Sequence, residues 1–287
     1  MTQKIPVFYD PAQVSRPNSF SPSAQKPAAL VARWQERALP IEVVAPTPLS
    51  REQLALAHRR RYVDGVLDLE IGNGFGGRDA RVAESLPWTT GSLLAAARNA
   101  LSTGTVAVSP TSGFHHAGYC TNGGFCTFNG LMIAALVLRS EGLVRKVAIL
   151  DCDEHYGDGT DDIIGRLALG DFVRHVTAGR GYPRDADEFL RLLPQRVASF
   201  ADCDIILYQA GADPHVDDPL GGWLTTRELY ERDYRVFAAA RRYRLPIAWN
   251  LAGGYQEPIE KVLEIHDNTL RACAAVYLEC LGNDACS

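Results

Sequence analysis

Short, nearly unbroken apolar runs recur along the chain, and longer stretches of helical periodicity separate them. "TVAVSP", "KVAILD", "DIILYQAG" and "PIAWNLAGG" show no alternation of a polar with an apolar face, so strands built from them need cover on both sides. Strands buried on both faces and joined by helices form a parallel sheet. The expected fold is therefore α/β: a single domain over residues 1–287, three-layer α/β/α, with a mostly parallel sheet.

"PVFYD", "IEVVAP" and "FVRHVT" read as further strands. Helices are expected at "PAALVARWQERAL", at "REQLALAHRRRYVDGVLDL" in two pieces, and at "TTGSLLAAARNAL", which a threonine would cap. "NGLMIAALVLRSEG", "DDIIGRLAL" and "TTRELYERDYRVFAAARRY" follow, with "ADEFLRLLPQRVASF" interrupted or restarted near its proline and a helical tail from Pro258. The first 25 residues, with "SRPNSFSPSAQKP", read as an extended, turn-rich arm after a short strand.

A net charge of -5 sets up no field that would draw nucleic acid or an anionic membrane, so neither is an expected partner. The cluster Arg59 to Arg61 reads as a helix surface. No apolar run approaches the roughly 20 residues that span a bilayer. The seven cysteines form no Cys-x-x-Cys pair and no signal-peptide pattern is present, so the expectation is a reducing cytoplasm.

In an open parallel sheet, ligands bind beyond the carboxyl ends of the strands. Polar residues beside glycine gather at four such ends: "TSGFHHAGY", "CDEHYGDG", "AGADPHVDDP" and "AGGYQEP". The densest is "AILDCDEHYGDGTDD", residues 148–162. Acidic residues after a strand are ordinary in a solvated loop, but this spacing is not. Extended backbone alternates its side chains, so Asp151, Asp153 and His155 project from one side. Two carboxylates and an imidazole on one side suit a divalent cation. Asp153 and His155 are candidate ligands, and a third carboxylate would come from Asp213, Asp217 or Asp218, among which spacing does not choose. Zn2+ accepts such donors, as do Mn2+ and Fe2+. His115 and His116 would be ligands or a general acid and base, and Tyr255 would aim its hydroxyl into the crevice.

"SGFHHAGYCTNGGFCTFN", "ILDCDEHYGDGT", "YQAGADPHVDDPLGG" and "NLAGGY" resemble, in order, the four signature segments of the histone deacetylase and acetylpolyamine amidohydrolase superfamily, which has the arginase-deacetylase fold. The likeness runs from about residue 105 to 257, with "AHRRRYVDGV" matching only in general pattern. It implies one Zn2+ per chain held by Asp153, His155 and Asp213, with Asp217 and Asp218 supporting or structural. It also implies that His115 and His116 act on the attacking water and the leaving amine, oriented by Asp151 and Asp158 respectively, with His116 the main base and acid. Tyr255 would donate to the oxyanion, Gly124 and Phe125 would wall a narrow acyl-amine tunnel, and a structural K+ would bind main-chain carbonyls around Asp151, Asp153 and His155. Glu154, Asp161 and Asp162 are left with solvent or helix-start roles.

The implied activity is hydrolysis of an acylated amine, either an acyl-lysine peptide or an acetylpolyamine or other small metabolite. An arginase-like ureohydrolase with two manganese ions, and a binding relative without turnover, are the alternatives weighed. The sequence departs from the family pattern at Tyr156, where many relatives carry histidine, and in a short stretch before "DIILYQAG". The second tunnel wall is thereby unassigned, with Tyr182 a candidate, and a more open mouth is expected. The oligomeric state is open between monomer and homodimer.

Overall fold

Within the strands, successive residues belong to different cores. Ala148, Leu150, Ile206, Tyr208, Ile247 and Trp249 face one set of helices, while Val147, Ile149, Ile205, Leu207 and Ala248 face another. A computed structural model describes residues 3–180 and 184–279, and its sheet is buried on both sides as the apolar runs require.

The strands are β1 (Ile5–Phe8), β2 (Ile41–Val44), β3 (Val106–Ser109), β4 (Val147–Asp151), β5 (Val173–Thr177), β6 (Ile205–Gln209) and β7 (Ile247–Asn250). They pair in the order β2-β1-β3-β7-β6-β4-β5, and every pairing is parallel. Helices α1 (Lys26–Glu36), α7 (Ala186–Ala198), α8 (Thr226–Arg242) and α9 (Glu260–Ala274) cover one face, through Trp34, Leu193, Phe237 and Leu270 among others. Helices α2 (Arg51–Leu54), α3 (Arg60–Leu67), α4 (Ala80–Thr103), α5 (Gly130–Ser140) and α6 (Asp158–Arg166) lie over the other, through Leu54, Val63, Leu93, Ile133 and Ile163. The architecture is α/β, three layers around one sheet. Arg59 to Arg61 are exposed at the start of α3, as expected. No helix among the described residues is long and apolar enough to cross a membrane.

Two helices differ from expectation. α4 begins nine residues before Thr89 and is capped by Asp79, whose carboxylate accepts from Arg81 and Val82 N–H at 2.8 and 3.2 Å. Thr89 and Thr90 do not cap; their hydroxyls donate back to the Leu86 carbonyl at 3.0 Å. α7 runs unbroken through Pro194 as α4 does through Pro87. A proline inside a helix costs about 3 kcal/mol. Buried residues on both sides outweigh it: Val82, Leu86, Leu93 and Leu94 in α4, and Phe189, Leu190, Leu193 and Val197 in α7.

The β2–α2 connection lies directly on α4. A Cβ placed at Gly91 would stand 2.1 Å from the Thr47 carbonyl oxygen. Gly91→Ala, which in an exposed helix stabilises by roughly 1 kcal/mol, is therefore expected to destabilise this protein. A lowered urea midpoint at unchanged slope checks the sign.

Candidate active site

Because all strands run the same way, their carboxyl ends share one edge. The four contiguous strands β3, β7, β6 and β4 each deliver part of the site there. β4 ends in Asp151 and leads into Asp153 and His155, β6 leads into Asp213, β3 into His115 and His116, and β7 into Tyr255.

Asp153, His155 and Asp213 bring one ligating atom each to within 4.8 Å of one another. His155 Nδ1 lies 3.1 Å from Asp153 Oδ1 and 3.0 Å from Asp213 Oδ2. Both carboxylates are buried, at 2% and 0% exposure. Two buried like charges at this separation oppose each other's ionisation: burial and the Asp153 charge push Asp213 up to about 8. Burial acts against Asp153 too, but His115 and His155 beside it hold its carboxyl well below the usual range. Hydrogen bonds to Asp153 and then Asp213 push His155 up to about 11. The cluster is built to hold positive charge, and one nitrogen with two carboxylate oxygens is a donor set that zinc accepts. Asp217 is exposed to solvent, and Asp218 accepts from the Tyr255 N–H at 2.8 Å, so neither joins the cluster.

Backbone N–H groups fix the two carboxylates. Asp153 accepts from Gly253 N–H at 2.8 Å and from His155 N–H at 2.9 Å, and Asp213 accepts from Glu154 N–H at 3.3 Å. The tandem histidines sit alongside. His115 Nδ1 is 2.8 Å from Asp151 Oδ2, and His116 Nδ1 is 2.6 Å from Asp158 Oδ1, in the first turn of α6. Gln209 Nε2 and Asp153 N–H donate to the other Asp151 oxygen at 3.1 and 3.2 Å. The two imidazoles are pushed apart electrostatically. Burial would lower His115, but Asp151 and Asp153 outweigh it and raise it to about 9. Burial, and then the charge of His115, lower His116 below its ordinary 6.5. Burial, followed by the fields of Asp153 and Asp213, raises the Tyr255 phenol, which stays protonated.

Gly124 lies against His116, and Phe125 lies beside Tyr255. A Cβ at Gly124 (φ +51°) would lie 2.4 Å from the His116 ring, and Phe125 (φ +63°) holds its ring 5.6 Å from that of Tyr255. Tyr182 lies outside the described residues. The mouth is narrower than the sequence suggests, because Phe20 of the N-terminal arm reaches Phe125 and Tyr255. Of the acidic residues assigned to solvent or helix starts, Asp161 does lie in the first turn of α6, but all three also have specific partners. Glu154 is buried and pairs with Arg184, and Asp161 binds His175 Nδ1 at 2.7 Å and accepts from the Tyr156 hydroxyl. Asp162 accepts from Tyr119 N–H at 2.9 Å and pairs with Arg166 at 2.7 Å.

Three supporting residues went unseen in the sequence. The buried Lys26 ammonium donates to the carbonyls of Ala252 and Gly253 at 2.6 and 3.3 Å, and burial lowers it to about 8. Buried Arg232 donates to the carbonyls of Cys152 and Gly211 at 3.0 and 2.7 Å, tying the β4 and β6 loops together. His175 has a buried side chain whose Nε2 stands 4.0 Å from Asp151 Oδ2. Arg232 left a trace: with Asp233 it interrupts the apolar stripe of Leu229, Val236, Phe237 and Ala240 on α8.

A family model, the histone deacetylase domain, matches residues 22–168 and 177–272. The chain belongs to the histone deacetylase family. It is 28% identical over 286 residues to the acetoin utilization protein AcuC of Bacillus subtilis, covering 85% of this chain and 72% of that one. It is 29% identical over 174 residues to the acetylpolyamine amidohydrolase of Mycoplana ramosa, half of each chain. The crystal structure of an acetylpolyamine aminohydrolase from Burkholderia pseudomallei shares the fold, with a TM-score of 0.75 and 19% identity over 95% of this chain and 99% of that one. This deacetylase-family fold carries its Asp/His/Asp cluster in the loops that follow β4 and β6.

Gly253 touches both acidic members of that cluster. A Cβ there would lie 2.2 Å from Asp213 Oδ2 and 2.8 Å from Asp153 Oδ2. Gly253→Ala is expected to weaken the binding of a divalent cation at this cluster by about 10- to 100-fold, the usual effect of disturbing groups around metal ligands. Competition with a chromophoric chelator measures it, and unchanged affinity would contradict the assignment.

Proposed function

We propose that this chain is a zinc-dependent amidohydrolase that removes an acetyl or other acyl group from an acylated amine. One arrangement carries the reading: a three-donor cluster faces two carboxylate-bound imidazoles and a protonated phenol across one crevice. Asp153, His155 and Asp213 would hold the zinc. When bound, it supplies Lewis-acid polarisation of the acyl carbonyl and of the attacking water. Among the described residues only Asp153, His155 and Asp213 bring ligating atoms together, which favours a single ion over a pair. A structural K+, where one binds, would be held by main-chain carbonyls around Asp151, Asp153 and His155.

The remaining chemistry belongs to the side chains. Asp158 accepts from Nδ1 of His116 and leaves Nε2 as the basic nitrogen. His116, the imidazole whose pKa is lowered, is neutral near pH 7 and takes the proton from water as the C–O bond forms. It returns that proton to the amine nitrogen as the C–N bond breaks. His115, held on Asp151 at 2.8 Å, faces the same centre. The Tyr255 hydroxyl donates to the oxygen on which negative charge develops.

Tyr255→Phe is expected to lower kcat by about 10²–10³, and His116→Ala by about 10²–10⁴, with zinc content staying near one per chain. Assays of acetyl-lysine peptides and acetylated diamines, with metal analysis of the same samples, test this; full activity in either variant contradicts it. The wild-type acid limb of kcat/KM should fall below pH 6.5, because His116 must be neutral and is lowered from that value. Asp158→Asn removes a group that raises His116, so the limb moves further to the acid side.

A further inference from the structure

The N-terminal arm carries an exposed aromatic ring to the mouth of the crevice. Phe20 is 70% exposed, yet its ring stands edge-on to Phe125 at 5.2 Å between centroids and lies 6.4 Å from Tyr255. With Phe125 and Tyr255 themselves 5.6 Å apart, the three rings close a triangle. All three separations fall within the range of direct ring contact, about 4.5–7 Å. A methylene chain held between two ring faces needs carbon contacts of about 3.5–4.0 Å on each side, hence rings about 7–8 Å apart. No pair of the three allows that, so a chain that enters between them must move one ring.

The surroundings decide which ring moves. Tyr255 is held through its N–H on Asp218 and by the Lys26 ammonium on the two carbonyls before Gly254. Phe125 donates its N–H to the Gly74 carbonyl at 3.1 Å and rests on Phe75, 5.9 Å away. Phe20 instead lies near the tip of a loop whose base is closed by Ser15 N–H to the Ala24 carbonyl at 3.2 Å, just before Lys26. Ser21 N–H on Ser19 Oγ at 3.2 Å and the buried Ser21–Ser23 hydroxyl pair at 2.8 Å fix the backbone beside it, so the exposed ring moves by its own side-chain rotation and keeps its resting place over the site.

We propose that Phe20 is a specificity-determining residue: it shuts the mouth against broad substrates, so the site prefers an acyl group on a slender, unbranched alkyl amine to an acyl-lysine flanked by peptide. The proposal rests on the deacylase reading above. A slender chain lets the ring fall back and bury apolar surface against it, whereas a flanking peptide backbone holds the ring away in water.

Kinetics of zinc-loaded wild type, Phe20→Ala and Phe20→Tyr with N-acetyl-1,4-diaminobutane and an acetyl-lysine peptide test it. Phe20→Ala is expected to raise the peptide-to-diamine ratio of kcat/KM by about tenfold or more, while Phe20→Tyr keeps it within about twofold of wild type. The exposed ring contributes little to the core, so the alanine variant folds as wild type does. An unchanged ratio in Phe20→Ala overturns the proposal. Should wild type turn over neither substrate, the deacylase reading fails, and calorimetry then decides the gate. An unbranched alkyl hydroxamate is compared with the same compound bearing a bulky amide cap. Tighter binding of the capped probe relative to the uncapped one in Phe20→Ala supports the gate; equal changes, or no binding of either, overturn it.

Discussion

Asp153 and Asp213 are two carboxylates buried side by side, and the rest of the site follows from the need to hold them there. Each opposes the other's charge, so the arrangement stands only with compensating positive charge and directed N–H groups. The chain provides both. Gly253 and Glu154 aim backbone donors at the carboxylates, His155 bridges them, and His115 adds its field from the side. Lys26 and Arg232 grip carbonyls of the same loops from beneath. A dication among the three ligands meets the same electrostatic demand.

The parallel sheet makes this convergence possible. Four loops leave the same edge of adjacent strands, so residues more than a hundred positions apart become neighbours without a long connection crossing the core. Rigidity comes from the strands and from short contacts that only glycine permits. Gly159 lies under the His116 and Ala117 backbone, where a Cβ would stand 2.5 Å away. Phe114, at φ +95° just before the tandem histidines, is a strained residue at the site's edge.

The strands were legible because a doubly covered strand has to be apolar along its length, as "VAIL" and "IILY" are. The spacing of Asp151, Asp153 and His155 pointed to the same site, although β4 ends at Asp151 and the chain bends from Asp153 to His155. Bends rather than strand alternation therefore bring Asp153 and His155 together, with Asp151 on His115. What spacing left open was the third ligand. Asp213, Asp217 and Asp218 differ only in where their loop turns: Asp217 ends in solvent and Asp218 on the Tyr255 N–H. Phe20, Lys26 and His175 left no local trace, since each acts on partners far along the chain; Lys26 and Ala252 are 226 residues apart. The start of α4 was misplaced because Asp79, not Thr89, caps that helix, and buried Val82 and Leu86 carry it across Pro87.

We propose that one metal ion belongs among Asp153, His155 and Asp213. A crystal of the zinc-loaded protein, with diffraction recorded on both sides of the zinc absorption edge, tests it directly. One anomalous peak at ligand distance from all three side chains is the predicted result. Two peaks in the crevice, or a single peak bound elsewhere, would contradict it.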